Sequence, residues 1–436
     1  MKFSCIRNFA LAILMSNSPC LLNAQELIGS VRAEGVNLRD FGAIGDGKAD
    51  DTVALRRAID VACGIGEADK SPHAVARKLV IPVGVYRITE TITLNPEHYG
   101  LQFIGEGSPL QNKPIGSALA PNSKLLWDGL KNGTLMQVFA MKGLQMKNLV
   151  LDGNQSAGSL LRVNSIDQTS KEKQRLEKYG RLASSGFRFE HVKFQNADKG
   201  ILLNDDSYIN SDESTFNDII FYNLETGFEA RSEQNLCYYF NHANAGNVGT
   251  VFKFFGGGAV HAVGVNCHHT DVVFDIEKGG INGGVYNLIQ VRAEQGARQK
   301  GKRPVSLKAS GEVNINMVGL QTMANAVMGP TPDLETPALI LGAGANVLVA
   351  SSMITAKIAK LTGDPADVPT FLTFENTRFR IHSDPLGSGI ECDAYSGFRL
   401  RDCQISYDEE KDGTYRILSR KFVADHLSLP SSITPK

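Results

Sequence analysis

The chain has 436 residues, 42% hydrophobic and 21% charged, with 43 Gly, one Trp, and 45 Lys+Arg against 46 Asp+Glu for a formal net charge of −1. A near-zero charge without a long basic stripe excludes a nucleic-acid partner, and an ordinary hydrophobic share excludes global disorder. Length alone suggests two or three domains, whereas glycines spread along the whole chain suggest many tight turns and few long helices.

Lys2 and Arg7 precede the apolar run Phe9–Met15, and Ala24 stands just before Gln25. This pattern reads as a signal peptide over 1–24, because the run is too short to cross a bilayer. No later stretch is apolar for long enough to span a membrane, so the expected location is secreted or periplasmic, with no membrane partner. The cysteines beyond that leader, Cys63, Cys237, Cys267, Cys392 and Cys403, are odd in number and scattered. That suits buried free thiols better than a disulfide framework, and no Cys/His spacing suggests zinc.

Val36-Asn-Leu38 is strand-like, and Gly42, Gly45 and Gly47 punctuate a loop. Val53, Leu55, Ile59 and Val61 then mark one face of a helix, with Asp50, Asp51 and Thr52 at its start. Acids there suit the helix N-terminus; the competing reading is a metal loop built from Asp46, Asp50 and Asp51. Two β-rich runs follow between Lys78 and Leu94, separated by Pro82 and Gly84.

These two segments, DFGAIGDGKADDTVALRRAID from Asp40 and KLVIPVGVYRITETITL from Lys78, resemble the N-terminal module of the pectate-lyase-like superfamily. That group includes polygalacturonase- and rhamnogalacturonase-like enzymes and phage tailspikes. The resemblance implies an all-β fold, a single-stranded right-handed parallel β-helix with an N-terminal capping helix, and a polysaccharide substrate.

Repeat character carries the solenoid reading onward. Segments beginning at Phe187, Phe216, Cys237 and Ala262 each contain a β-run, a polar corner and a second β-run. The corners Gln195-Asn196, Tyr222-Asn223, Asn241-His242 and Asn266-Cys267 recur at intervals of roughly 19–27 residues, a solenoid period. Such short strands cannot bury an inner face alone, but stacked coils share one core. Polar corners suit ladder hydrogen bonding. One β-helix domain over 25–425 is therefore expected, with a loose tail over 426–436. Charged or polar insertions interrupt it at Ser165–Gly186, Arg298–Arg303 and Gly329–Glu335.

Alternation along the second β-run points Ile201, Phe228, Phe252, Phe274 and Leu307 inward. It points Asn204, Glu229, Arg231, Lys253, Asp275, Glu277 and Lys308 outward, as a face striped with acids and bases. A second column is expected at the entrance to these runs: Asp198, Glu225, Asn247 and Asp271, beside His268 and His269. In the polygalacturonase-like relatives the catalytic carboxylates occupy comparable places. Their hydrolase motifs are Asn-Thr-Asp, Asp-Asp, His-Gly and Arg-x-Lys, and only Asn204-Asp205-Asp206 stands here.

A lyase must neutralise a uronate carboxylate, remove the neighbouring proton and protonate the leaving oxygen. A hydrolase needs two carboxylates at a set separation. Glu229, Arg231, Lys253, His269, Asp271 and Asp275 are the candidate catalytic residues. Asp198, Asn204, Glu225 and His268 are the candidate substrate-binding residues. Converging carboxylates would also hold a Ca²⁺, and Tyr222, Tyr238 and Tyr239 could stack on sugar rings. The bland reading of the same face is a solvated sheet with cross-strand ion pairs. The sequence thus favours an exported enzyme cleaving an acidic polysaccharide, with β-elimination slightly ahead of hydrolysis. A non-catalytic glycan-binding solenoid is the alternative, and an epimerase a third.

Overall fold

Runs of three to seven alternating residues, broken by residues that tolerate a left-handed backbone, divide each coil into three strands. The computed structural model describes residues 35–66, 77–107, 109, 122–166, 173–205, 211–231, 234–277, 284–294, 297–298, 302–322, 336–355, 357–364, 369–382, 390–411 and 414–424. The leader expected over 1–24, the loop at 329–335 and the tail at 426–436 lie outside them.

The bend positions are regular. Strands Arg188–Leu203, Ser214–Ala230, Gln234–Phe254 and Gly257–Glu277 each turn first at His191, Asp218, His242 or Gly264, and then at Asn196, Asn223, Asn247 or His269. All eight corners have φ between +51° and +71°. Asn is among the residues that enter this region at least cost. The segments before, between and after the corners form three parallel sheets, here A, B and C, held in continuous register from coil to coil. Shorter strands extend all three sheets in both directions, around one hydrophobic core that runs from Val36 to Cys403.

The sequence had merged two corner columns into one. Asn241-His242 belongs to the first corner, between sheets A and B. Asn266 lies within sheet B, with Cys267 facing the core. Both corners favour short polar residues, so a pattern search alone does not separate them. The second corner carries the ladder: Asn247 Nδ2 donates to Asn223 Oδ1 (2.7 Å), Asn223 to Asn196 (2.8 Å), and Asn196 to Asp152 Oδ1 (3.0 Å).

Inside sheet C, Ile201, Phe228, Phe252, Phe274 and Leu307 occupy one row, as alternation predicts. Phe252 and Phe274 stack at 5.0 Å and 11°, and Phe216 and Phe240 at 4.7 Å and 10°. These rings fill the wide middle of the solenoid.

The ends are closed differently. Helix Thr52–Cys63 buries Leu55, Ala58, Ile59 and Ala62 against the first coil. The acids before it organise the loop. Asp51 accepts from Ile44 N (2.7 Å) and Gly45 N (3.2 Å), Asp50 from Thr52 N (3.0 Å), and Asp46 from Lys48 N (2.8 Å). At the other end Thr414–Ala424 pairs antiparallel with Ser396–Lys411, a reversal that the repeat pattern does not announce. Cys63, Cys237, Cys267, Cys392 and Cys403 are free thiols. Burial holds Cys63 up at about 11.

The helix Lys173–Tyr179 within the 165–186 insertion packs towards the N-terminal coils. Lys178 pairs with Glu97 at 2.9 Å, and Arg175 lies 3.9 Å over the Phe139 ring.

Replacing Asn223 separates the ladder from the backbone turn. Asn223→Gly should cost about 1–3 kcal/mol for lost amide bonds, and Asn223→Ala roughly 1–2 kcal/mol more for the left-handed φ. Urea unfolding of both variants measures the two contributions; equal midpoints would mean that the corner carries no backbone strain.

Candidate functional site

The outward row of sheet C follows directly from the register. Arg162, Leu202, Glu229, Lys253, Asp275, Lys308, Ile340, Lys360 and Glu391 lie side by side, one per coil. The alternation of acid and base expected at 229, 253, 275 and 308 is therefore real. Its burial is not what a solvated face would give. Glu229 is 2% exposed and Asp275 5%.

Each buried acid is held differently. Glu229 receives Lys199 Nζ on Oε2 and Arg231 Nε on Oε1, the latter at 2.5 Å. Asp275 lies between two ammonium groups, Lys253 Nζ at 3.8 Å and Lys308 Nζ at 3.5 Å. Neither is at hydrogen-bond distance, and Asp275 Oδ1 accepts no hydrogen bond although it is buried. Burial consequently pushes the Asp275 carboxyl above the usual carboxylate range, and Glu277 adds to the rise, while Lys308 and Lys253 oppose it. Lys253 also meets Glu277 at 3.2 Å and lies 4.6 Å over the Phe255 ring, which Arg231 approaches at 5.3 Å.

The entrance column needs one correction. Register pairs Ala197, Leu224, Val248 and Thr270, so the row after them is Asp198, Glu225, Gly249 and Asp271. Asn247 belongs to the amide ladder instead. Gly249 is informative because a Cβ there would lie 2.9 Å from Arg298 Nη1. Through that gap Arg298 reaches back from the insertion between sheets B and C. Its Nη1 and Nη2 bind Glu225 at 2.8 and 2.7 Å, and its backbone N donates to Asp271 Oδ1 at 2.9 Å. One residue therefore clasps two acids two coils apart. The Arg298 guanidinium lowers the Glu225 carboxyl below its usual range and is itself raised.

The other candidates disperse. Asp198 is exposed. Asn204 is a buried left-handed corner whose amide accepts from Ser165 N (2.9 Å) and donates to Ser211 Oγ (2.8 Å), so its side chain ties loops together and does not line a groove. His268 lies on sheet B, its ring over Gly246, with its pKa lowered by burial and by His269. His269 continues the second corner column after Asn247. Tyr238 is buried in the core, Tyr222 lies on sheet B and Tyr239 on sheet A. The described helix of the 165–186 insertion, Lys173–Tyr179, packs beside Glu97 and Phe139, on coils before the charged row from Glu229 to Lys308. No set of three His, Cys, Asp or Glu side chains among the described residues forms a cation site.

Two residues of this site escaped the sequence reading. Lys199 follows a noted acid but reaches the next coil. Arg298 sits in a polar loop whose partners are 27 and 73 residues away.

Residues 35–269 match the family described as rhamnogalacturonase A/epimerase, pectate lyase-like, which is more than half of the chain. The chain belongs to this family. Three solved structures illustrate the range that this rhamnogalacturonase A/epimerase-type chain is similar to. The A-module of mannuronan C-5 epimerase AlgE6 from Azotobacter vinelandii is 13% identical, covering 84% of this chain and 98% of its own, with a TM-score of 0.44. The catalytic unit of the GH87 α-1,3-glucanase from Streptomyces thermodiastaticus is 13% identical over 85% and 70%, with a TM-score of 0.36. Tailspike protein 3 of bacteriophage CBA120 is 13% identical over 90% and 66%, with a TM-score of 0.42. At such identities no reaction transfers from any of the three. No curated protein matches the sequence.

Arg298→Ala tests the clasp. In the wild type the lowered Glu225 pKa gives a stability contribution that is present above the unfolded pKa and lost as pH falls through the folded one. The variant should lose that dependence, and the Glu225 carboxyl should titrate in the ordinary range by NMR. An unmoved Glu225 titration would refute the pairing in solution.

Proposed function

We propose that this protein acts on an acidic polysaccharide laid along sheet C and removes the proton beside a uronate carboxylate, with β-elimination as the outcome. The observation that carries this reading is Asp275, a buried carboxyl with a raised pKa between Lys253 and Lys308. A family whose name joins a glycan-cleaving enzyme to an epimerase is consistent with chemistry at a uronate.

The two ammonium groups suit a uronate carboxylate, whose neutralisation makes the adjacent C–H more acidic. As the substrate carboxylate draws Lys253 and Lys308 outward, Asp275 becomes accessible. A carboxylate with a raised pKa is a stronger base than an ordinary one and, once protonated, a competent acid nearer neutral pH. Asp275 would take the C5 proton; the C5–H electrons form the C4–C5 double bond, the C4–O bond breaks, and the same proton passes to the leaving oxygen. Returning a proton to C5 from the opposite face would give epimerisation in place of cleavage.

Hydrolysis is the second reading, because Glu225 and Asp271 lie two coils apart, about 9.6 Å at the usual strand spacing, near the upper end of the inverting range. Arg298 stands against it, since it occupies both acids at once.

The test is incubation with polygalacturonate, alginate and related uronate polymers in D₂O. The expected signals are absorbance from an unsaturated product and uptake of solvent deuterium at C5 of any residue that is reprotonated. Asp275→Asn and Lys253→Ala should each reduce the rate about 100-fold or more. Because a raised carboxyl pKa costs stability as pH rises through it, Asp275→Asn should not lower the thermal midpoint at neutral pH. Activity should fall on the acid side, where Asp275 is already protonated and cannot take the C5 proton, and its raised pKa should move that limb above the ordinary carboxylate range. New reducing ends without a double bond would instead support hydrolysis, and binding without any product would leave only a lectin-like solenoid.

A further inference from the structure

Two buried acids occupy the same outward row of sheet C, and the residue two places further along the chain differs in sign. Glu229 is followed by Arg231, and Asp275 by Glu277. Side chains two residues apart on an extended chain share a face, so each acid has a charged neighbour on its own coil besides those in adjacent coils. Arg231 closes on Glu229. Glu277 cannot close on Asp275, and it competes with Asp275 for the same cation.

Register sets the terms of that competition. Lys253 stands directly opposite Asp275, and Ser310 opposite Glu277. Glu277 is therefore only the diagonal neighbour of Lys253, farther along the sheet than the direct partner. The Lys253 ammonium nevertheless lies 3.2 Å from Glu277 and 3.8 Å from Asp275. The Glu277 side chain is 37% exposed and that of Asp275 7%, so the cation leans towards the acid nearer solvent, over the Phe255 ring. Pairing at the more exposed acid costs the ammonium less of its hydration. Lys308, in the next coil, meets Asp275 at 3.5 Å and pairs with no second acid among the described residues.

We infer that Glu277 is a positioning residue for Asp275: it draws the Lys253 ammonium to itself and so keeps that cation from closing on the buried carboxyl. The catalytic meaning of this role rests on the function proposed for sheet C; the electrostatic role does not. Asp275 is left with one dedicated counter-ion, Lys308, and with a like charge beside it. Both conditions favour the protonated carboxyl, in the direction already set by burial. The charged groups that face Asp275 are Lys253 from the preceding coil, Lys308 from the following one and Glu277 from its own strand. Glu229, two coils back, is held by Lys199 and Arg231. Were Glu277 neutral, Lys253 would have a single acid to meet, and the proton affinity of Asp275 would fall.

Carboxyl titration of Asp275 by NMR in the substrate-free protein tests the role. Glu277→Gln, at a partly exposed position, should move the Asp275 midpoint down, and Glu277→Asp, which keeps the charge, should restore most of the wild-type value. Lys308→Met should move it up. In a Lys253→Met background, Glu277→Gln should move the midpoint less than about half as far, because the cation it would release is gone. An unmoved midpoint in Glu277→Gln overturns the inference. So does an equal movement with and without Lys253, which would make Glu277 a neighbouring charge only. On a uronate polymer, the acid limb of kcat/KM reports the free enzyme and should follow the same midpoint down in Glu277→Gln. A merely structural role would lower kcat/KM without moving that limb. A wild type without turnover would refute the function proposed for sheet C, and the titration would still decide the role of Glu277.

Discussion

Each coil from Arg188 to Glu277 turns through two left-handed residues, and every side chain of functional interest is placed by where those turns fall. A left-handed corner changes direction within one residue and leaves the strands on both sides in register with the coil below. The amide ladder at Asn196, Asn223 and Asn247 fixes that register at the entrance to sheet C. A slip of one residue would turn Glu229, Lys253 and Asp275 into the core and the phenylalanines outward. The aromatic core and the charged row are thus two consequences of the same constraint.

That constraint explains what could be read from the sequence. The alternation that places Phe228, Phe252 and Phe274 inside also places Glu229, Lys253 and Asp275 outside, so these rows of sheet C were legible, whereas Asn204, expected outward on the same face, is a buried corner. The corners were not, because Asn241-His242 and Asn247 satisfy the same preference for small polar residues while serving different turns. Arg298 was invisible for another reason. Its contact with Glu225 depends on a missing side chain at Gly249, and an absence in one coil does not point to a loop in another. Burial of Glu229 was hidden too, since the groups that cover it are Lys199 and Arg231, whose reach along and across coils has no period.

The acids of sheet C show why charge alone is a poor guide to a site. Glu229 and Asp275 are both buried and both face cations, yet Glu229 has close partners on both oxygens while Asp275 sits just beyond hydrogen-bond reach of two lysines. A satisfied buried ion pair is structural in character. An unsatisfied one with a perturbed pKa is the kind of group that clusters at functional sites.

Solenoids are commonly regarded as modular, able to gain or lose a repeat with little penalty because each coil contacts only its neighbours. The alternating row of sheet C imposes parity on that freedom. Removing the one coil that carries Lys253 would leave the hydrophobic stack intact but seat Glu229 directly against Asp275, two buried carboxylates with no cation between them. Removing that coil together with the next would seat Glu229 against Lys308 and restore the order of signs. The core counts coils singly, whereas the charged face counts them in pairs.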